Sequence, residues 1–280
     1  IATDHLPQLV EKYRKPGPRY TSYPSALYFS EETDPAPVLE HAFANIDPVS
    51  LYLHIPFCEK LCWFCGCHTI ITRNAERADA YLEMLAREFD LLLAGMQPNR
   101  EVVQLHFGGG TPNFLSPRQI AALGVLLEER FRFDPESENS VELAPAHLDR
   151  GKVEAFAAIG MNRASFGIQD TDPAVQEAIH RPQPEALNVR SMEWLRGSGF
   201  ISVNVDLMYG LPRQTPESFQ RTLDHAISLE PDRIALFGYA HVPWVKPHQK
   251  ALEDAGLPSG SERLTLFLLA LQRLQEAGYV

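Results

Sequence analysis

Outside one ten-residue stretch the 280-residue chain has no cysteine, which excludes a framework of disulfides spread across the fold. It also lacks the roughly 20 consecutive apolar residues that a helix needs to cross a bilayer, and its first residues do not read as a signal peptide. Positive charge is scarce: 25 Lys and Arg against 36 Asp and Glu leave a formal net charge of −11. That balance repels nucleic acid and anionic membrane surfaces at long range. There is no tandem repeat and no low-complexity segment. No second CxxC and no HxxxH follows the cysteines, so the two separated ligand pairs of an ordinary structural zinc site are missing. What remains is 45% apolar and 22% charged residues, enough to bury a full core as one domain or one domain with extensions. We therefore expect a soluble monomer with reduced thiols in the cytoplasm, with no nucleic acid among its partners and no membrane insertion.

The cysteines that are present, Cys58, Cys62, Cys65 and Cys67, read CxxxCxxCxC. A loop this rich in thiolates wraps its sulfurs around one soft centre without help from distant chain, and zinc and iron–sulfur are the two candidates. His54 and His68 lie nearby at irregular spacing, which makes zinc the weaker of the two. A cluster held by three thiolates leaves one iron without a protein ligand, and an open position points to chemistry where a closed one points to scaffolding. The loop follows Ser50-Leu51-Tyr52-Leu53-His54-Ile55-Pro56, a strand-forming run that Pro56 ends. Trp63 and Phe64 inside the loop either shield a cluster from water or simply pack the loop down. Cys67 is either bound to metal or a free thiol beside the cluster.

Strand-like runs at 50–54, 102–107, 140–143, 163–168, 202–208 and 233–237 alternate with helical stretches at 75–95, 117–131, 184–198, 216–229 and 261–277. Six βα units predict an α/β fold, an incomplete (β/α) barrel, with a doubly wound sheet as runner-up because periodicity does not report curvature. Residues 1–45, rich in Pro and Tyr, read as an extended arm, and 46–280 as the main domain. Polar positions recur just after the C-terminal ends of the strands, where barrel enzymes keep their chemistry. After the second strand comes Gly108-Gly109-Gly110-Thr111, either a backbone that another molecule can approach closely or a plain turn. Glu142 interrupts an apolar run and is either the outward side of an alternating strand or a desolvated carboxylate at the barrel mouth. Gln169 and Asp206 end or interrupt apolar runs in the same way. Arg181 is either a solvated surface arginine or a fork for a carboxylate.

The Cys58, Cys62, Cys65 spacing, with Phe64 just before the third cysteine, resembles the radical S-adenosylmethionine (SAM) superfamily. There, three such thiolates hold a [4Fe-4S] cluster, and SAM chelates the open iron through its amino and carboxylate groups. Within that superfamily, Lys15-Pro16-Gly17-Pro18-Arg19-Tyr20-Thr21-Ser22-Tyr23-Pro24, His54-Ile55-Pro56-Phe57-Cys58, Cys67 and Tyr239-Ala240-His241-Val242-Pro243 resemble the oxygen-independent coproporphyrinogen III oxidase family over nearly the whole chain. The resemblance implies that Cys58, Cys62 and Cys65 bind the cluster. It implies that Tyr52, Phe64, Gly108, Gly109, Gly110, Thr111, Glu142, Gln169, Arg181, Asp206 and Ala240 surround SAM, with Arg181 on its carboxylate.

By the same resemblance Cys67 is a catalytic position that marks the oxidase against a related heme-chaperone branch. The reaction implied is oxidative decarboxylation of two propionates of coproporphyrinogen III to vinyl groups, giving protoporphyrinogen IX, with an unidentified reductant and electron acceptor. Such a tetrapyrrole carries four carboxylates, so basic residues are expected at the pocket mouth, with Arg19 in the arm as the candidate. The chain departs from the family pattern at Ala144 and Ala146, where methyl groups replace two charged side chains. Ile1 in place of Met, and an end at Gly278-Tyr279-Val280 that reads like the approach to another strand, lead us to expect a piece of a longer chain. By resemblance that chain continues through the rest of the catalytic domain into a C-terminal helical domain.

Overall fold

Six runs that alternate between apolar and polar residues become the strands of one parallel sheet: β1 (Val49–Ile55), β2 (Glu101–Gly109), β3 (Arg132–Leu143), β4 (Arg163–Gln169), β5 (Ser202–Tyr209) and β6 (Arg233–Gly238). They are hydrogen-bonded in chain order, with every neighbour parallel. The computed structural model describes residues 36–44, 47–96 and 100–280, with single positions at 8, 12, 28, 30 and 34. The motif from Lys15 to Pro24, including Arg19, lies outside the described residues.

Parallel neighbours need crossover connections, and these are right-handed. A strand order that never reverses therefore sends every crossover to the same face of the sheet, whereas a doubly wound sheet needs a reversal and helices on both faces. This excludes the doubly wound alternative. The fold is the partial barrel of six βα units, with β1 and β6 as its two edges.

The helices are α1 (Ala36–Ala44), α2 (Glu76–Gly95), α3 (Pro117–Glu128), α4 (Arg150–Ala158), α5 (Pro173–Ala178), α6 (Glu185–Gly197), α7 (Pro216–Ser228) and α8 (Gly260–Glu276). Reciprocal capping boxes start α3 at Ser116 and Gln119, α7 at Thr215 and Ser218, and α8 at Ser259 and Glu262. The aspartates Asp149 and Asp172 cap α4 and α5. Helix α1 corrects the expectation of an arm that is extended throughout: Ala36–Ala44 is mostly Ala, Leu, Glu and other good helix formers, and Asp34 accepts from the Ala36 amide at 3.0 Å. Helices α4 and α5 went unpredicted because they have nine and six residues, too few turns to show a period. Strand β3 starts eight residues earlier than expected. Its first half, Asp134 to Asn139, is polar, and the pairing with β2 is irregular around Pro135.

The two faces of the sheet differ in kind. On the helix side Leu53, Phe107, Val141, Phe166 and Val205 are buried in one continuous core, and each such side chain contributes about 1.5–3 kcal/mol on burial. The inner side is polar: Tyr52 stacks on His106, with ring centroids 5.7 Å apart. His106 in turn meets Ser140 at 2.6 Å and Glu142 at 3.3 Å, and Asn204 donates to Ser165 and Asp206.

Candidate functional site

Pro56 ends β1, and Phe57–Cys58 then pairs with Ile70–Ile71 to close the base of the cysteine loop. The Ile70 amide donates to the Pro56 carbonyl at 2.7 Å, and the Thr72 amide to that of Cys58 at 2.9 Å. Between these closures the loop is held by neighbours far away in sequence. The Trp63 amide donates to the Ile179 carbonyl at 3.1 Å, and His180 Nδ1 lies 2.9 Å from the Leu61 carbonyl. Gln249 donates to the carbonyl of Phe64 at 3.0 Å, His248 meets that of Cys65 at 2.8 Å, and Lys246 donates to that of Cys67 at 2.9 Å. Trp63 and Phe64 pack against a satellite core of Val175, Ile179, Leu211, Tyr239 and Leu252. Phe64 also reaches the site cavity, so the packing role is accompanied by a place on the cavity wall.

That cavity, about 470 Å³, is walled by all four cysteines and by Gly109, Gly110, Thr111, Glu142, Ala144, Ala146, Gln169, Arg181 and Asp206. Residues from the ends of five consecutive strands and their following loops thus meet in one space. Three buried polar atoms in this wall have no partner among the described residues: Gln169 Oε1, Arg181 Nε and Gln183 Oε1. Orphaned buried polar groups are rare and mark a missing partner, so the wall fits a polar guest that offers both donors and acceptors. Among the described residues no three His, Cys, Asp or Glu side chains converge closely enough to hold one metal ion. Thiolates on a single tetrahedral zinc, with bonds of about 2.3 Å, must lie close together. A cluster spreads them over separate irons. The part-buried thiols of Cys58, Cys62 and Cys65, sharing one cavity without converging, fit a cluster better than zinc.

The thiols are not equivalent. The Cys67 side chain holds the Cys65 sulfur below the usual thiol range by hydrogen bonding, with the Cys67 amide adding a second donor at 3.4 Å. Sharing that bond with the Cys65 sulfur pushes Cys67 up, so it stays a protonated donor. Burial also raises Cys58, opposed by Thr111, whose hydroxyl lies 3.3 Å from the Cys58 sulfur. Hydrogen bonds to ligand sulfurs raise a cluster's potential. We expect Thr111→Val to lower the midpoint potential of the reconstituted protein by about 40 mV, the equivalent of one net hydrogen bond. Potentiometric titration followed by electron paramagnetic resonance reads the shift, and an unchanged midpoint would remove Thr111 from that role.

The glycine run serves close packing. A β-carbon on Gly110 would lie 2.8 Å from the carbonyl oxygens of Pro56 and Phe57, and one on Gly109 would lie 2.6 Å from the His54 ring. Gly109 also adopts φ +110°, which side-chain-bearing residues avoid. The Gly110 and Thr111 amides donate to Ile55 and Phe57 at 2.8 and 2.9 Å, tying the end of β2 to the root of the cysteine loop.

Glu142 faces inward, held by the Gly109 amide and by His106, each at 3.3 Å. Asp206 also faces inward; burial raises its carboxyl against hydrogen bonds from Ser165 and Asn204. Arg181 is half-buried: Nη2 donates to the Gly167 carbonyl at 2.9 Å, and Nη1 lies 3.6 Å from the Cys62 sulfur. It is therefore not the solvated surface arginine of the alternative reading. Three expected positions are not on the cavity wall. Tyr52 stands lower on the inner face, 58% exposed. Gly108 is packed beneath His106, Tyr52 and Glu142, and Ala240 lies exposed after β6.

Several wall residues escaped the sequence reading. Gln183, 1% exposed, donates to the same Gly167 carbonyl as Arg181, at 3.0 Å, and to Asn188 at 2.7 Å. It follows a proline in a loop, and no pattern marks it. His147, 3.5 Å from Glu59, and Ser165 also face the cavity.

Behind the wall, Asp170 is fully buried and accepts from Gln214 at 2.6 Å, from Thr222 at 3.1 Å and from the Asp172 amide at 2.7 Å. Burial outweighs these bonds and pushes its carboxyl from 3.8 up to about 6. The folded state then binds this proton more tightly than the unfolded chain. The group's stabilisation is complete below pH ~4 and lost as pH rises to ~6, an effect of about 3 kcal/mol. Urea titrations of wild type and Asp170→Asn across that range should diverge by this amount, the other carboxylates cancelling in the difference. Parallel curves would exclude it.

The family model for the radical SAM superfamily matches residues 52–226. The oxygen-independent coproporphyrinogen III oxidase of Synechocystis sp. is 43% identical over 276 residues, spanning 98% of this chain and 59% of that protein. The enzyme of the same name from Escherichia coli strain K12 is 43% identical over 272 residues, spanning 97% and 59%. The solved structure of coproporphyrinogen III oxidase from Escherichia coli, described as a radical SAM enzyme, matches with a TM-score of 0.91 and 41% identity over 98% of this chain and 62% of that one. This chain therefore spans about three-fifths of the length of the curated relatives it matches.

Proposed function

Because the chain belongs to the radical SAM superfamily, whose members use a [4Fe-4S] cluster and SAM, we propose that it is the cofactor-binding part of an oxygen-independent coproporphyrinogen III oxidase. One observation carries the reading: the thiols of Cys58, Cys62 and Cys65 open onto the same cavity as Glu142, Gln169, Arg181 and Asp206. The 43% identity to oxidases over nearly the whole chain supports the choice of substrate.

In this reading the three cysteines hold the cluster and residues 46–280 are the catalytic domain. When both are bound, cluster and SAM supply a 5′-deoxyadenosyl radical, the agent that takes hydrogen from a propionate side chain. The residues of this chain do the rest by position. Arg181, oriented by the Gly167 carbonyl and with its Nε unpartnered among the described residues, would supply positive charge and a donor to the carboxylate of SAM. Gln169 and Asp206 offer acceptors to hydroxyl donors, and Glu142, fixed by His106 and Gly109, faces the same space. Leu61, Phe64, Ile71 and Leu143 supply the apolar part of the wall that keeps water from a reactive radical. Lys60, also on this wall, is a further basic candidate for a substrate carboxylate beside Arg19, which lies outside the described residues. The reduced thiols suit a cytoplasmic setting.

The test is anaerobic reconstitution with iron and sulfide on the full-length protein, followed by product analysis with coproporphyrinogen III. Protoporphyrinogen IX and two equivalents of 5′-deoxyadenosine are expected. SAM cleavage without decarboxylation would retain the superfamily chemistry and reject the substrate. Tight heme binding without product would favour the chaperone branch.

A further inference from the structure

The segment from Tyr239 to Leu252 backs the cysteine loop from outside. Its Lys246, His248 and Gln249 bond the carbonyls of Cys67, Cys65 and Phe64, yet none of its residues lines the site cavity. The loop is therefore one layer of chain, with the cavity on one side and this segment on the other. At the turn that the Val245 and Lys246 amides close onto the Val242 carbonyl, Trp244 is 77% exposed and Val245 62% exposed. An exposed indole beside an exposed valine is the composition of a contact surface.

Charge singles out the same place. Residues 60–73 and 239–252 together hold Lys60, Arg73, Lys246 and Lys250 and no Asp or Glu, whereas the chain's own average would put three or four acidic residues in 28. Acidic residues resume at Glu253 and Asp254, and Glu253 is engaged by His241 at 3.1 Å. Glu59, between Cys58 and Cys62, stands on the cavity side with His147, so in a chain with a net charge of −11 residues 60–73 and 239–252 form an acid-free outer stretch complementary to an acidic partner.

We propose that the outer face formed by Trp244, Val245, Lys246 and Lys250 is the docking surface for a small acidic one-electron carrier protein. The inference rests on the cluster assignment made above. The exchange is balanced: the carrier is oxidised by one electron, the cluster is reduced by one, and no bond forms or breaks. From this face only the Phe64 to Cys67 layer separates carrier from thiolates, so the electron need not cross the substrate cavity. Because the carrier binds outside, docking and substrate occupancy do not compete.

The experiment measures 5′-deoxyadenosine release by the full-length reconstituted protein with two reductants, dithionite and reduced plant-type ferredoxin. In Trp244→Ala/Lys250→Glu, the ferredoxin-driven rate is expected to fall about tenfold, and in wild type it should fall with added salt as exposed charge pairs are screened. The dithionite-driven rate should stay within about twofold, since neither residue touches the loop carbonyls. Equal ferredoxin-driven rates in variant and wild type overturn the proposal. So does a parallel loss with both reductants, which would mean that the variant damages the loop. So does burial of Trp244 from acrylamide quenching in the carrier-free full-length protein, which would show that the face is covered by the protein's own chain. If wild type fails with dithionite as well, the cluster assignment itself is what fails.

Discussion

Alanine at Cys58, Cys62 or Cys65 is expected to abolish the iron–sulfur absorption of the reconstituted protein and to reduce SAM cleavage to the level of the apoprotein, whereas Cys67→Ser is expected to keep both the iron and the cleavage. The difference follows from where the sulfurs stand. The first three thiols are part-buried and share the cavity, and in a cluster held by these three, with one iron open, no spare protein ligand would compensate for a lost one. Cys67 is exposed, and it acts as a donor toward Cys65. Its loss changes the electronic setting of one ligand without removing any. Iron and sulfide content with visible and electron paramagnetic resonance spectra decides the matter. A full complement of iron in any one of the three alanine variants would falsify the ligand assignment, and loss of the cluster in Cys67→Ser would make that residue a ligand instead.

The second large effect lies in the fold around the site. Asn113, fully buried in the turn after β2, donates Nδ2 to the Ala144 carbonyl at 3.0 Å and accepts the Ala144 amide on Oδ1 at 2.9 Å. It thus pairs both backbone groups of a residue that no sheet neighbour satisfies, and it joins the turns after β2 and β3, two adjacent walls of the cavity. Lys152 reinforces the junction through the carbonyls of Asn113 and His147, at 2.7 and 2.9 Å. Asn113→Ala leaves the Ala144 amide buried and unpaired, while the Ala144 carbonyl keeps the His147 amide at 3.0 Å, so we expect a destabilisation of about 1–3 kcal/mol. The urea midpoint should fall with an unchanged slope. Asn113→Asp should recover part of the loss, since a carboxylate still accepts the amide but cannot donate. A midpoint shift below about 1 kcal/mol would mean that solvent reaches Ala144 and that the clamp is dispensable.

Ala144 also bears on the departure from the family pattern that the sequence resemblance implies. Both alanines line the cavity, and Ala144 is 8% exposed. The backbone there is held by Asn113 rather than by its own side chain, so the turn keeps its shape whichever side chain stands at 144.

The strands were legible in the sequence because each carries branched and aromatic residues at alternate positions on the helix side, as in Val203, Val205 and Leu207 of β5. The curvature was not, since alternation is the same in a barrel and in an open sheet; only the order of pairing separates them. The start of β3 was hidden by its own function, because Glu138 and Ser140 face a polar interior and Pro135 sits at an irregularity in the pairing. Short helices such as α5 gave no period to read, though α5 supplies Val175 to the pad beneath Trp63. Of the site, the cysteines and the residues ending strands could be picked out as polar interruptions in apolar runs. Gln183 and His147 could not, because they stand in loops where polarity is the rule and only the folded chain brings them inward.

The polar inner face of the sheet has a consequence for how such a protein tolerates change. Along β3, Val141 and Leu143 belong to the core, while Ser140 and Glu142, between them, face the inner side and bond His106. A saturation scan of residues 140–142 should therefore alternate: Val141 fails in expression, and Ser140 and Glu142 fail first in turnover. Selection can rewrite the guest's half of each strand without touching the half that keeps the protein folded, so a lineage built on this sheet can change substrate through substitutions that leave yield and melting temperature where they were.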